Sequence, residues 1–188
     1  MSGQICLDYP RGTLHALEQR LQAAEGLLRG TKFMWKRETK RMADGLKSVV
    51  LEVRCPWGNN YVLAQQIPGM EGQWYGPFRE LSSSVVKGHP SLSPEFPLGI
   101  RAVRFDVKPG AAVLIAAFYE TYFKCVADMC EDENGRECCS IQMGCHQRLE
   151  FCETSKEIPP YDGHHIAVYV TEFDECYTRL KAAGINCH

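Results

Sequence analysis

Between Gly144 and Val170 two strand-like runs each carry one side chain able to bind a metal, Glu150 in the first and His165 in the second. The turn residues Pro159, Pro160, Asp162 and Gly163 separate the runs. In the first run Gln147, Leu149 and Phe151 share one parity, and His146, Arg148, Glu150 and Cys152 share the other. Because successive strand side chains point to opposite faces, Glu150 points away from the Leu149/Phe151 face. In the second run His165, Ala167 and Tyr169 lie opposite Ile166, Val168 and Val170. Each predicted strand therefore has one apolar face and one face with chemistry.

A strand ending in Leu149-Glu150-Phe151, then His165-Ile166-Ala167-Val168-Tyr169-Val170, then a helix from Phe173 to Leu180, resembles the vicinal-oxygen-chelate superfamily. That superfamily holds the glyoxalases, extradiol dioxygenases and bleomycin-resistance proteins, and its unit is a βαβββ module. Its metal ligands sit at the start of a module's first strand and near the middle of the fourth. The resemblance places Glu150 and His165 at such positions, and so names them as metal ligands.

The elements that must position these residues follow the same pattern. Gln4 to Tyr9 reads as a strand, closed by Pro10 and Gly12. A helix is expected from Thr13 as N-cap, with Leu14, Leu17, Leu21 and Ala24 on one face and Gly26 and Gly30 as its end. Strands are expected over Thr31 to Lys36, Ser48 to Val53 and Tyr61 to Gln65, with a polar loop through Gly45. The turn Pro56-Trp57-Gly58-Asn59 resembles the one that precedes the fourth strand in the superfamily.

A second βαβββ order begins at Ile100 to Val107, where Arg101, Val103, Phe105 and Val107 share a face. Pro109 then opens an apolar helix to about Tyr122, whose Phe118-Tyr119-Glu120 matches a superfamily helix ending. Strands follow near Phe123 to Asp128, Glu137 to Met143 and His146 to Glu153. A third unit starts at His164 with a strand and a helix. Such internal repetition outweighs any single motif.

The expected architecture is thus α+β, with curved mixed sheets built from repeated βαβββ modules, the third incomplete. Its divisions are residues 1–66 as the first module, 67–98 as an irregular linker and 99–188 as the second module plus the start of the third. In the linker, rich in Gly, Pro and Ser, the rings of Trp74, Tyr75 and Phe78 are expected to pin it to the core. A third unit without its partner strands would leave a sheet edge and an apolar helix face uncovered. The expectation is therefore either a longer two-domain protein or a homodimer that completes the sheet.

The totals exclude several classes. At 188 residues, 45% hydrophobic and 23% charged, the chain is ordinary for a soluble globular protein, and a net charge of -2 gives no polyanion signal. The basic stretch Lys36 to Arg41 is interrupted by Glu38 and reads as a solvated loop, so no nucleic-acid partner is expected. No apolar run approaches the ~20 residues of a membrane helix and no signal pattern opens the chain, so a cytoplasmic protein is expected. The ten cysteines sit mostly within strand or helix patterns and read as mostly free thiols. Cys125, Cys130, Cys138, Cys139 and Cys145 with His146 have no CxxC pairing and argue against a structural zinc knuckle. Cys145 and His146, as strand neighbours, face opposite sides and make no nucleophilic pair.

Aligning the three first strands matches Gln4, Ala102 and His165, and aligning the two fourth strands matches Val62 with Glu150. Glu150 and His165 would need further donors, from His164, His146 or a second chain. The resemblance implies open positions on a divalent metal such as Fe, Mn, Zn or Ni. It implies a metal-dependent enzyme acting on a small oxygen-bearing molecule, a glyoxalase-type lyase or isomerase or a ring-cleaving dioxygenase. The alternative is a non-catalytic small-molecule-binding or assembly protein with a degenerate metal site. Ala102 and Val62 at ligand positions favour it. In that reading Glu150 is a salt-bridged carboxylate, His165 a hydrogen-bonded histidine and Gln4 a surface glutamine.

Overall fold

The computed structural model describes residues 2–41, 47–66, 98–160 and 163–185. The expected linker and its three aromatic residues lie, but for Leu98, outside the described residues. The first half runs β1 (Gly3–Tyr9), α1 (Leu14–Leu27), β2 (Met34–Arg41), β3 (Lys47–Arg54) and β4 (Asn60–Gln65). The second runs β5 (Gly99–Val107), α2 (Ala111–Phe118) with a π-helical turn (Tyr119–Phe123), β6 (Ala127–Glu131), β7 (Glu137–Gln142) and β8 (Arg148–Glu153). One more helix follows, α3 (Phe173–Ala182). The order βαβββ therefore occurs twice.

All eight strands form one mixed sheet in the order β2-β3-β4-β1-β5-β8-β7-β6. β1 and β5 meet antiparallel at its middle, while β1 with β4 and β5 with β8 are parallel. A twofold-like relation centred on the pairing of Ile5 with Val103 exchanges the halves, carrying Gln4 to Ala102, Cys6 to Arg104 and Val62 to Glu150.

Strand alternation divides the side chains cleanly between two faces. Odd-numbered Tyr9, Leu51, Val53 and Leu63 pack with Leu17 beneath α1. In the second half Leu149, Cys139 and Ile141 pack beneath Ala112 and Ala116 of α2, joined by Val103, Phe105 and Phe151. The small Ala112 and Ala116 let that helix sit close on the sheet, and the N–H of Ala112 donates to Glu153 Oε1 at 3.0 Å, so a strand carboxylate caps the helix. On its far side Val113 and Leu114 remain exposed. Even-numbered Cys6, Val50, Val62, Ala64 and Ala102 form the floor of the opposite, concave face.

Several local expectations differ, and the strand expected near Phe123 to Asp128 lies later, as β6 at Ala127–Glu131, because the helix continues through the π-helical turn to Phe123. Thr13 takes a helical conformation and its hydroxyl donates back to the Pro10 carbonyl at 2.7 Å instead of capping α1. Lys36 to Arg41, expected as loop, belongs to β2, an edge strand charged on both faces. Trp35 and Arg37 reach Glu25 and Glu18 on α1, while Lys36 and Lys40 reach Glu52 on β3. Residues 164–170 pair with none of the eight strands, and the ring of His164 instead stacks on Phe105 at 5.9 Å. The helix expected after them is present. It is held by the buried Cys176 and by Arg179, whose Nε donates to the Tyr122 carbonyl at 2.9 Å. No helix among the described residues is long and apolar enough to cross a membrane.

Gly3 marks how tightly the halves meet. It has φ +135°, and a Cβ there would stand 2.0 Å from the Arg104 carbonyl oxygen. Gly3→Ala is expected to lower the unfolding free energy by about 1–3 kcal/mol, read as a lower urea midpoint with unchanged slope. An unchanged midpoint would show that this end of the ladder yields at no cost.

Candidate functional site

The concave face encloses an open cavity of about 470 Å³ with Gln4, Cys6, Val50 and Val62 contributed by the first half. Arg101, Arg104, Cys130, Cys138, Glu150 and Cys152 come from the second. Glu150 points into it, as the alternation of β8 requires, while its neighbours Leu149 and Phe151 pack against α2. Directly across the β5–β8 ladder is Arg104, whose Nε donates to Glu150 Oε2 at 2.9 Å. The same guanidinium donates through Nη1 to Glu133 at 3.1 Å.

Glu133 stands on the β6–β7 turn and also meets Lys40 Nζ at 3.2 Å. Lys40 lies on β2, at the other end of the sheet, so this pair links the two ends of the curled sheet beside the cavity. Lys40 continues to Glu52. Glu52, Lys40, Glu133, Arg104 and Glu150 thus form a chain of alternating charge along the concave face. Burial would push the Glu133 carboxyl up, but Arg104 and then Lys40 hold it below the ordinary carboxylate range. Burial likewise opposes the charge on Arg104, yet Glu150 and Glu133 hold its proton more tightly than usual.

Arg101 is a cavity residue that simple alternation misassigns, since period two puts it with Val103 and Phe105. The ladder shifts between Cys6, which pairs with Ala102, and Leu7, which pairs with Ile100, leaving Arg101 as the extra residue of a bulge. Its side chain turns to the concave face, and Nε binds the buried Asp8 Oδ1 at 3.0 Å. Only a register irregularity, invisible in the residue pattern, exposes this arginine to the cavity.

The structure brings Glu150 to the cavity and leaves His165 outside it. His165 is exposed, lies in no strand, and has its Nδ1 3.4 Å from the Gly163 carbonyl. Its neighbour His164 stacks on Phe105, on the face of the sheet opposite to Glu150. Gln4 lines the cavity, and the two remaining positions related to it and to Glu150 hold Ala102 and Val62, both buried.

These residues do not fit a divalent metal of the kind the superfamily resemblance implies. Two of the four equivalent positions have no donor, and the Glu150 carboxylate is already bound by a guanidinium whose charge repels a cation. Among the described residues, three potential donors come within 4.8 Å of one another at Asp132, Cys138 and Cys152. There the two sulfurs are joined as a disulfide, and Asp132 accepts from Arg136 Nε at 2.7 Å and from the N–H groups of Asn134 and Arg136. That carboxylate is the hub of the β6–β7 turn, and its partners hold it below its ordinary pKa against the effect of burial.

No family model matches the sequence, and no curated protein matches it. Among solved structures, glyoxalase I from Zea mays is similar at 15% identity and TM-score 0.45, over 80% of this chain and 41% of that one. Methylmalonyl-CoA epimerase from Mycobacterium tuberculosis is similar at 12% identity and TM-score 0.42, over 82% and 87% of the two chains. A 2,2',3-trihydroxybiphenyl 1,2-dioxygenase from Sphingomonas wittichii is similar at 13% identity and TM-score 0.39, over 83% and 41%. The chain therefore spans about two-fifths of the length of the glyoxalase I chain. At these identities none of the three activities passes to this protein, and the fold rests on its own strand order. With βαβββ twice over and β1 joined to β5 at the middle of one curved mixed sheet, the chain has an α+β architecture consistent with the one that the vicinal-oxygen-chelate resemblance implies.

Proposed function

We propose that the concave face binds a small oxygen-bearing molecule through its charged side chains, with the Arg104–Glu150 pair standing where related proteins would place a metal. The observation that supports this reading is the 2.9 Å bond from Arg104 to Glu150 in the cavity wall, beside donor-free Val62 and Ala102. A guanidinium offers directed donors to carboxylate or carbonyl oxygens, and Lys40 and Arg101 add positive charge nearby. The acidic neighbours Glu133 and Glu150 accept from hydroxyl or amine groups, so a ligand with both kinds of group is matched on two sides.

The test is metal content after incubation with excess Fe, Mn, Zn or Ni salts and gel filtration, on wild type, Glu150→Gln and His165→Ala. Far less than one metal per chain is expected in all three. In parallel, small carboxylates and carbonyl compounds are screened by thermal shift. A ligand that raises Tm in wild type is expected to lose that effect in Arg104→Met. Near-stoichiometric metal that disappears in Glu150→Gln or His165→Ala would overturn this reading in favour of a metal-assisted lyase, isomerase or dioxygenase.

A further inference from the structure

The cavity wall carries three cysteines in a row on three adjacent strands. In β6–β7 Cys130 pairs with Cys138, and in β7–β8 Cys138 pairs with Cys152. Residues directly opposite on antiparallel strands put their side chains on the same face, and all three cysteines line the cavity. Cys138 and Cys152 are joined as a disulfide and both are buried, at 1% exposure. Cys130 is a free, exposed thiol. The neighbouring Cys139 faces the other way, into the core beneath α2.

This row sets a free thiol beside a disulfide, the pairing of groups that thiol–disulfide exchange starts from. The attacking sulfur must approach along the S–S axis, from the side opposite to the leaving sulfur. The Cys138–Cys152 bond joins β7 to β8, and Cys130 stands on the next strand, β6, as the register partner of Cys138 on its other side. Antiparallel partners have Cα atoms about 4.5–5.5 Å apart, within the range that a disulfide spans. A dissolved thiol meets little of Cys138 or Cys152 directly, whereas Cys130 is open to the cavity.

We propose that this wall is a thiol–disulfide exchange site for small-molecule thiols, with Cys130 as the solvent-facing thiol through which they reach the buried Cys138–Cys152 bond. Cys130 loses its proton to solvent and its sulfur attacks Cys138 Sγ. The Cys130–Cys138 bond forms, the Cys138–Cys152 bond breaks, and Cys152 leaves as a thiolate that takes a proton from solvent. One disulfide is exchanged for another, with no net oxidation. A small-molecule thiol then attacks Cys130 Sγ of the shifted bond, giving a mixed disulfide and freeing Cys138. A second equivalent releases Cys130, so two small thiols are oxidised to their disulfide as the protein disulfide becomes two thiols.

The experiment uses the full chain purified in air without reductant, with dithiothreitol as the probe at mildly alkaline pH. Acid-quenched samples are alkylated and their cysteine pairings read by peptide mass spectrometry. Loss of the Cys138–Cys152 bond is expected to be at least about tenfold slower in Cys130→Ser than in wild type. A second variant, Cys152→Ser, tests the shifted pairing without relying on the first. After air oxidation it is expected to contain a Cys130–Cys138 disulfide. Equal reduction rates in wild type and Cys130→Ser would overturn the proposal. So would free thiols at both Cys130 and Cys138 in oxidised Cys152→Ser, or no Cys138–Cys152 bond in the air-purified wild type.

Discussion

Replacing Arg104 by alanine is expected to cost about 2–4 kcal/mol of folding stability near neutral pH, because it strips the cation from carboxylates that remain in the protein. Arg104 is 15% exposed, and its partners Glu150 and Glu133 are 17% and 18% exposed, so water screens the residual repulsion only in part. The pH dependence identifies the cause. Glu133 has a folded-state pKa below its ordinary value, so the stability it contributes is present above the unfolded carboxylate pKa and fades as pH falls through the lower folded value. The gap between wild type and Arg104→Ala should therefore be widest near neutrality and shrink below about pH 4. A double variant, Arg104→Leu with Glu150→Leu, is expected to recover part of the loss, since neutral side chains can replace a buried pair at little cost. Urea unfolding from pH 3 to 8 would check this, and a gap independent of pH would assign Arg104 a packing role instead.

Leu51→Ala should be comparably severe for a different reason. Leu51 has no exposed surface and stands at the centre of β3, between Leu63 of β4 and the Leu17 side of α1. Shortening it removes apolar contact and leaves a void that the two-layer packing fills only in part, at a cost of about 2–5 kcal/mol. Unlike Arg104→Ala, the loss should be flat across pH, because no titratable group changes its surroundings. Thermal unfolding at two pH values separates the two mechanisms, and a loss below about 1 kcal/mol would mean that α1 settles into the gap.

The contrast between these positions shows which parts of the protein were legible in the sequence. Period-two patterning places Leu149 and Phe151 on one face and Glu150 on the other, and the structure keeps that division because one face is buried under α2. Helix α1 follows from Leu14, Leu17 and Leu21 for the same reason. The later part of β2, beyond the expected strand end at Lys36, was hidden because its contacts are charged on both sides, Lys36 and Lys40 to Glu52 and Arg37 to Glu18, so no apolar alternation marks it. The residues 164–170 show the opposite failure. Their alternation looks like a strand, but a strand needs a ladder partner, and Ile166, Val168 and Tyr169 remain exposed.

Parity puts Glu150 on the face that lines the cavity, but its partner Arg104 depends on the β5–β8 register, which the chain pattern does not specify. The same holds for Cys138 and Cys152, which are 14 residues apart in sequence and become neighbours only when β7 and β8 align. Arg101 enters the cavity through a bulge, a departure from the very periodicity used to read the strand.

The antiparallel junction of β1 with β5 also determines how the chain would behave if it were cut. A backbone break between Gln66 and Leu98 would give two pieces that each keep a parallel pair, β1 with β4 or β5 with β8. Each piece would also carry one bare strand with unsatisfied backbone donors and acceptors along its length. Those two strands are each other's complement in register from Gly3 and Phe105 to Asp8 and Gly99, so the separated pieces are built to recombine, as halves of a split protein that reports the meeting of whatever is fused to them.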